Sequence, residues 1–322
     1  MSLASLLADP SPPAAEPARI EVHPLTPVIG AELSGVDLRQ PVDSGALAAI
    51  HAALLQWRVL VLRDRDIGNE QLLAFGRRFG RLTPAHPIAL GLPDHPEIWE
   101  RKAAEYKERR EEASSAPPSA QPPRDYKGWH IDITFVANPN RYSLLHGVQI
   151  PRCGGDTIFA NLVAAYQGLS APIRRLTDGL QAVHRTSSYD AGKPRPGRRD
   201  IGPFASLHPL VRIHPETGEK VLFVNPGTTS HVAGLREPES KALLDLLADE
   251  ITRPEYQVRI RWAPKTLVIW DNQAVAHAGP IDYAHFDEPR VVRRITVEGE
   301  LPRGPDGFRS RPIEGELFPV IG

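Results

Sequence analysis

A histidine and an aspartate two residues apart, His130 and Asp132, form a pair that could do chemistry in this 322-residue chain. Positions i and i+2 of an extended strand point to the same face, so this spacing predicts a strand that presents an imidazole and a carboxylate to one ion. The same triplet also occurs as an ordinary hydrogen-bonded surface pair. Taken alone, it leaves both interpretations open.

A third candidate ligand, His277, lies about 145 residues further on, after the segment Trp270-Asp271-Asn272. Two histidines and one carboxylate on one face of an iron(II) ion leave three positions open. Such vacancies suit an ion that must hold a bidentate cosubstrate and dioxygen, whereas a closed four-ligand zinc site has none. We expect Asp271 and Asn272 to form a turn that positions His277.

The charge of the chain is almost balanced, with 38 Lys and Arg against 39 Asp and Glu. This argues against nucleic acid as a partner, because phosphate binding normally shows as a basic excess or stripe. No apolar run approaches the roughly 18 residues that span a bilayer, so we expect no membrane segment. The single cysteine, Cys153, excludes a disulfide framework and a cysteine-rich zinc module. It fits a reducing compartment, and we expect a cytoplasmic protein.

Short apolar runs separated by glycine and proline dominate the chain after Gly128, and several alternate with period two. Before them, Asp43 is suited to cap a helix. These patterns predict a mainly β chain with flanking helices (α+β), built as a sandwich or barrel. The predicted strands are 59–62, 142–150, 221–224, 257–262, 266–270 and 291–297, and the predicted helices are 44–55, 70–79 and 237–251.

Two segments have the composition of a tail and a loop. Residues 1–18, rich in Ala, Pro and Ser, predict a disordered tail, which leaves 19–322 as a single domain. Residues 101–128 pass from a charged stretch into Ser- and Pro-rich sequence and predict a long loop. Such a loop is usually either a linker or an active-site lid, and the adjacent His130 motif favours a lid.

Three ordered motifs resemble the taurine dioxygenase (TauD/TfdA) family of iron(II)- and 2-oxoglutarate-dependent oxygenases. They are Trp129-His130-Ile131-Asp132-Ile133-Thr134-Phe135, the turn Gly154-Gly155-Asp156-Thr157, and the segment from Trp270-Asp271-Asn272 to His277 with the arginines after it. The resemblance extends from about Glu21 to about Gly299. It implies a double-stranded β-helix, the jelly roll of cupin-like proteins, with the metal at one mouth of the barrel.

The resemblance also implies roles for individual residues. The two histidines and the aspartate match the ligands of Fe(II). Thr157 and Arg290 match the groups that bind the distal carboxylate of 2-oxoglutarate, and a guanidinium with a hydroxyl suits that task. Arg294 matches an arginine between the inner carboxylate and the substrate, and even spacing in a strand predicts both arginines on one face. Without the resemblance, Thr157 is equally well a turn residue and Arg294 a solvated arginine.

The substrate pocket implied by the resemblance is built from His86, Tyr126, Thr228 and Arg294. His86 matches a histidine that hydrogen-bonds an anionic head group, although it is also placed to cap a loop. Ala89, Tyr126 and Thr228 replace Tyr, Asn and Phe of the taurine-specific members. The loss of two aromatic rings predicts a cavity for an organic group larger than that of taurine.

The implied reaction consumes 2-oxoglutarate and O2 and gives succinate, CO2 and a hydroxylated small-molecule substrate. One hypothesis is a dioxygenase for an alkyl sulfate, a sulfonate or an aryloxy acid. The same chemistry on a biosynthetic intermediate, such as a terpenoid or an amino-acid-derived acid, is a second. A non-enzymatic β-barrel binding protein with purely structural histidines is the third. The resemblance also implies a homo-oligomer, a dimer or a tetramer.

Overall fold

The computed structural model describes residues 20–102, 128–186, 202–280 and 288–321. Within these ranges the strands are β1 (Glu21–Pro24), β2 (Ala31–Ser34), β3 (Val59–Leu62), β4 (Trp99–Lys102), β5 (Tyr142–Gln149), β6 (Thr157–Asn161), β7 (Gln181–Arg185), β8 (Ala205–Pro209), β9 (Val211–Ile213), β10 (Lys220–Leu222), β11 (Thr229–Val232), β12 (Gln257–Ile260), β13 (Leu267–Asp271), β14 (Val275–Ala278), β15 (Val291–Val297) and β16 (Arg311–Glu314). The helices there are α1 (Ser44–Trp57), α2 (Asn69–Arg77), α3 (Leu162–Gly168), α4 (Ala171–Thr177) and α5 (Glu237–Ile251), with a 3-10 turn at Pro254–Tyr256. The prediction of an α+β chain rich in short strands is confirmed.

The largest sheet has seven strands in the order β1-β2-β3-β13-β5-β15-β4. Neighbours run antiparallel, except β2 and β3, which are parallel. Every residue of the central strands β3 and β13 is buried. Burial on both faces explains why these two strands are nearly continuous apolar runs in the sequence.

The two faces of this sheet pack against different partners. Leu60 and Leu62 of β3 belong to the core formed with the helices α1 and α2. Val59 and Val61 point the other way and share a second core with Phe159 of β6. Strand β6 is the middle strand of a three-stranded sheet, β12-β6-β14. This sheet packs on the face of the large sheet from which Val59 and Val61 project. Alternation along one strand therefore places helices on one side and a second sheet on the other.

A third core joins the three-stranded sheet to the remaining elements. Leu162 at the start of α3, Phe223 after β10 and Leu247 of α5 are buried together there. A four-stranded sheet, β11-β7-β8-β16, and the β9–β10 hairpin complete this half of the fold. Strand β14, which carries His277, is buried along its whole length.

Several local predictions are confirmed. The carboxylate of Asp43 caps α1 by accepting a hydrogen bond from the N–H of Ala46 at 2.8 Å. The predicted helices 70–79 and 237–251 correspond to α2 and α5. The predicted strands are all present, with ends that differ by up to two residues.

Other local predictions are wrong, for identifiable reasons. The segment His130–Asp132 is not a strand, because the chain enters a turn at Asp132 and Ile133 adopts a φ of 46°. Arg101 does not begin the loop, because it lies in β4, which pairs with β15. Arg290 and Arg294 line one cavity as predicted, but Arg290 lies just before β15, so strand alternation is not the reason. The helices α3 and α4 were not predicted, since each has only seven residues.

Two predicted segments cannot be compared with the structure. The tail 1–18 and most of the predicted lid, 103–127, lie outside the described residues. Among the helices that are described, each is too short or too polar to cross a bilayer.

Candidate active site

His130 and His277 are joined directly through their backbones. The N–H of His130 donates to the carbonyl of His277 at 2.8 Å, and the N–H of His277 donates to the carbonyl of His130 at 2.7 Å. The two imidazole centroids are 4.2 Å apart. A single antiparallel bridge therefore brings together two histidines that are distant in the sequence.

The tautomer of His130 follows from its own hydrogen bond. Its Nδ1 lies 2.8 Å from the carbonyl oxygen of Gly128, which only accepts, so Nδ1 carries the proton. The lone pair is then on Nε2, which faces Asp132 at 3.9 Å from Oδ1. This arrangement is the usual one for a metal-binding histidine, whose second nitrogen is held by a carbonyl or carboxylate.

The ring of His277 is oriented by aromatic packing. It stacks on Phe159 with centroids 5.7 Å apart and contacts Trp270 at 5.1 Å. Its Nε2 lies 3.8 Å from Oδ1 of Asp132. Its buried Nδ1 has no hydrogen-bond partner within the described part of the chain. Packing against two large rings thus takes the place of a hydrogen bond in setting the direction of this imidazole.

Asp132 is held by its backbone and by its side chain. Asn272 accepts a hydrogen bond from the N–H of Asp132 at 3.0 Å and donates to its carbonyl at 3.2 Å. The hydroxyl of Ser143 donates to Oδ2 at 2.9 Å, and Nη1 of Arg294 donates to Oδ1 at 2.6 Å. The positive φ of Ile133, rare for a β-branched residue, is maintained next to this clamp.

The three side chains fit a divalent metal ion. Two ligands on bonds of about 2.1 Å are at most about 4.2 Å apart, and neighbouring ones are about 3 Å apart. Asp132 Oδ1 lies within the larger limit of both Nε2 atoms. If each of these two Oδ1–Nε2 distances shortened by about 1 Å, the carboxylate and the imidazoles would be as far apart as neighbouring ligands of one ion. The donor set is the two-histidine, one-carboxylate set of non-heme iron(II) oxygenases, so these residues form the candidate Fe(II) site.

The electrostatics of the site favour the forms of these side chains that bind metals. Burial alone would raise the pKa of the Asp132 carboxyl, but Arg294 and the two imidazoles outweigh it and hold this pKa well below its ordinary value. Burial lowers the pKa of His277, the nearby His130 lowers it further, and the positive charges of Arg294 and Arg101 add to that effect. The site therefore presents a carboxylate and a neutral imidazole.

Thr157 and Arg290 meet at one wall of the same cavity. The indole Nε1 of Trp262 donates to the Thr157 hydroxyl oxygen at 3.0 Å. Arg290 donates to the carbonyl of Gly155, two residues before Thr157, at 3.0 Å from Nη2. The cavity has a volume of about 210 Å³ and is also lined by both histidines of the metal site and by Arg294.

The predicted substrate residues lie in different places. The ring of His86 packs on Trp99, with centroids 4.8 Å apart, and its Nδ1 accepts a hydrogen bond from the N–H of Ile88. The hydroxyl of Thr228 is hydrogen-bonded to Thr134 at 2.9 Å and is not among the residues that line the cavity. Tyr126 lies outside the described residues.

Sequence reasoning missed several residues of this site. Trp99 lies under Arg294, whose guanidinium carbon is 4.5 Å from its ring centroid, and Arg101 lines the cavity. The sequence Trp99-Glu100-Arg101-Lys102 lacks a clear apolar alternation, so no signal marked it as a strand. Trp262 was in a predicted strand, but its partner Thr157 could not be inferred without the fold. Asn272 lies in the turn before β14, as expected, and its side chain also clamps Asp132, which the sequence did not indicate.

Known proteins resemble this chain over most of its length. The family model described as "Taurine catabolism dioxygenase TauD, TfdA family" matches residues 21–296. An alpha-ketoglutarate-dependent sulfate ester dioxygenase from Pseudomonas putida is 34% identical over 307 residues, which cover 91% of this chain and 94% of the relative. An alkylsulfatase from Acinetobacter baylyi is 33% identical over 310 residues, covering 91% and 89%.

Solved structures agree with these relatives. The crystal structure of a taurine dioxygenase from Burkholderia xenovorans has a TM-score of 0.79 and 41% identity to this chain, covering 92% of it and 97% of that protein. The hypothesis of a non-enzymatic binding protein is thereby excluded. The motifs, the candidate Fe(II) site and these similarities lead to one conclusion: the chain belongs to the TauD/TfdA family of alpha-ketoglutarate (2-oxoglutarate)-dependent dioxygenases.

Proposed function

We propose that this dioxygenase hydroxylates the carbon that carries the sulfate group of an alkyl sulfate ester, with Fe(II) held by His130, Asp132 and His277. The observation that carries the proposal is one cavity that is lined by both histidines of the metal site and by two guanidiniums, Arg290 and Arg294. Two cationic groups suit the two carboxylates of 2-oxoglutarate. Sulfonates and aryloxy acids are the neighbouring substrate classes.

Iron bound at this site would supply the oxidising power that couples decarboxylation of 2-oxoglutarate to hydroxylation of a C–H bond. The protein residues hold the metal-binding atoms and the substrate in position. The proton of His130 on Nδ1 leaves Nε2 available as a ligand, and Ser143 holds the second carboxylate oxygen of Asp132. Tight placement of the reacting carbon near the metal is the main contribution that a rigid cavity can make.

The wall at Thr157 is built to receive a carboxylate. An indole N–H can only donate, so the Thr157 oxygen accepts from Trp262 and its hydroxyl proton is left to donate elsewhere. Arg290 beside it offers a planar pair of N–H donors. We infer that these two residues bind the distal carboxylate of 2-oxoglutarate.

The choice of a sulfate ester rests on product chemistry and on the relatives. Hydroxylation of the carbon next to the sulfate oxygen gives a hemiacetal-like ester, which breaks into an aldehyde and hydrogen sulfate with no further oxidant. The names of the sulfate ester dioxygenase and the alkylsulfatase state that these relatives act on sulfate esters. Both align with about nine-tenths of the chain. The seven-stranded and three-stranded sheets that face each other support a jelly-roll core.

The finer expectations stay predictions. A single domain over 19–322, a dimer or tetramer and a cytoplasmic location are consistent with the proposal and are not needed for it. Activity on a biosynthetic intermediate such as a terpenoid acid is an outcome that the substrate test can return.

Substrate-dependent release of succinate tests the proposal. The purified protein receives Fe(II), 2-oxoglutarate and air with a panel of alkyl sulfates, alkyl sulfonates, aryloxy acids and terpenoid acids. We expect the strongest stimulation from alkyl sulfates, with release of sulfate equal to the succinate formed. Stronger coupling to any other class, without sulfate release, would contradict the proposal and assign the enzyme to that class.

Replacing Trp262 by Phe is expected to raise the KM for 2-oxoglutarate by about 2- to 10-fold with little change in kcat. The reason is that one neutral hydrogen bond contributes about 0.5–1.5 kcal/mol, and without it the Thr157 hydroxyl is free to rotate. Initial rates of succinate formation at varied 2-oxoglutarate measure the effect. A KM that stays within 20% or so of wild type while the melting temperature falls would show that Trp262 acts only in packing.

A further inference from the structure

The edge strand β4 places a third arginine beside the metal site. In its register with β15, Trp99 lies opposite Arg294 and Arg101 lies opposite Val292. Residues two apart on a strand point to the same face, so Trp99 and Arg101 face the same way. Arg101 lines the cavity of about 210 Å³ together with His130, and it is one of three arginines there.

One aromatic ring contacts two of these guanidiniums. The guanidinium carbon of Arg294 is 4.5 Å from the centroid of Trp99, and that of Arg101 is 4.7 Å from the same centroid. Both distances lie within the roughly 6 Å over which a cation is attracted to an indole ring. The indole ring of Trp99 therefore contacts the guanidiniums of both Arg294 and Arg101.

The other two arginines of the cavity lie at its cosubstrate wall and at the metal site. Arg290 lies against Gly155 beside Thr157, at the wall inferred to bind the distal carboxylate of 2-oxoglutarate. Arg294 hydrogen-bonds Asp132 at 2.6 Å. A substrate with its own anionic group brings a third negative charge into the same cavity, and a buried anion needs a paired cation.

We propose that Arg101, held on Trp99 beside Arg294, binds the sulfate head group of the substrate. This inference rests on the proposed function and adds a substrate-recognition residue to it. Sulfate suits the site because a guanidinium is planar and weakly hydrated and gives parallel charge-assisted hydrogen bonds to two oxygens of an oxyanion.

The test compares Arg101→Gln with Lys102→Gln, using hexyl sulfate as the probe. Lys102 is the adjacent residue on β4, carries the same charge and pairs with Glu100 at 3.3 Å with 58% of its side chain exposed. We expect Arg101→Gln to raise the KM for hexyl sulfate at least about 10-fold, the value of one charge-assisted hydrogen bond. The KM for 2-oxoglutarate should stay at its wild-type value, and Lys102→Gln should change neither constant.

Two further measurements make the test independent of turnover. Calorimetric titration of hexyl sulfate into protein loaded with Mn(II) and 2-oxoglutarate, under nitrogen, should show the same loss of affinity for Arg101→Gln. Arg101→Lys should lose less, because it keeps the charge but not the planar pair of donors. The affinity of wild type should fall with added salt more steeply than that of Arg101→Gln.

The outcomes separate the two proposals. If wild type responds to hexyl sulfate and Arg101→Gln keeps the wild-type KM, the inference is wrong and the proposed function stands. If Arg101→Gln raises the KM for 2-oxoglutarate instead, Arg101 belongs to the cosubstrate site and the inference is again wrong. If wild type neither binds nor turns over hexyl sulfate, both fail together.

Discussion

Replacing His130 by Ala is expected to reduce substrate-dependent succinate formation at least about 1,000-fold while leaving the protein folded. The removed imidazole is one of the three proposed protein ligands, and a loss of about 4 kcal/mol in transition-state stabilisation corresponds to that factor. The fold should survive, since the backbone bridge to His277 does not involve the side chain. The side chain itself is 38% exposed, and its hydrogen bond to another described residue is the one to Gly128.

The control for this variant is His231→Ala. His231 is an exposed histidine on β11 whose Nδ1 contacts the hydroxyl of Ser230, and it takes no part in the candidate site. We expect His231→Ala to keep wild-type activity and Fe(II) affinity. The measurements are succinate release at saturating cosubstrates and Fe(II) binding by titration. Activity of His130→Ala within 10-fold or so of wild type would show that the ligand assignment is wrong.

Replacing Asn272 by Ala is expected to cost both stability and activity. This buried side chain bonds the N–H and carbonyl of Asp132 and also the carbonyl of Asn140. Its loss leaves a buried N–H and buried carbonyls without partners, which costs about 2–4 kcal/mol in the free energy of unfolding. Residues that orient metal ligands typically change metal affinity or activity by about 10- to 100-fold, and we expect a decrease of that size.

The chain contains a matched control for Asn272. The side chain of Asn138 makes the same two-sided clamp on another residue, accepting from the N–H of Phe318 at 2.7 Å and donating to its carbonyl at 2.9 Å. Asn138→Ala should lower the free energy of unfolding without changing Fe(II) affinity or kcat. Urea unfolding and Fe(II) titration of both variants separate the two effects. If Asn272→Ala binds Fe(II) with the same affinity as Asn138→Ala, Asn272 is only a structural residue.

The two predicted losses have different origins. In the proposed site His130 contributes a ligand, so its removal should abolish activity at every iron concentration. Asn272 contributes the position of a ligand, so higher Fe(II) should restore part of the activity of Asn272→Ala. This difference in rescue by Fe(II) distinguishes a ligand from a residue that orients one.

The order of the motifs along the chain was sufficient to predict the chemistry. The spacing of His130 and Asp132 and the later His277 predicted a three-ligand iron site, and the triad does come together. Apolar runs such as Val59–Leu62 predicted buried strands, because a strand buried on both faces has little choice of residue type. Local composition carries this information, since burial and ligand chemistry both select particular side chains.

The tertiary structure alone decided how the ligands are held and what surrounds them. The bridge between His130 and His277, the clamp of Asn272 on Asp132 and the indole bond to Thr157 all join segments far apart in the chain. Such contacts depend on strand order and register, which leave no periodic trace in the residues that make them. The strand that carries Trp99 and Arg101 has no strong local preference of its own, and its pairing with β15 determines both its conformation and its place beside the metal site.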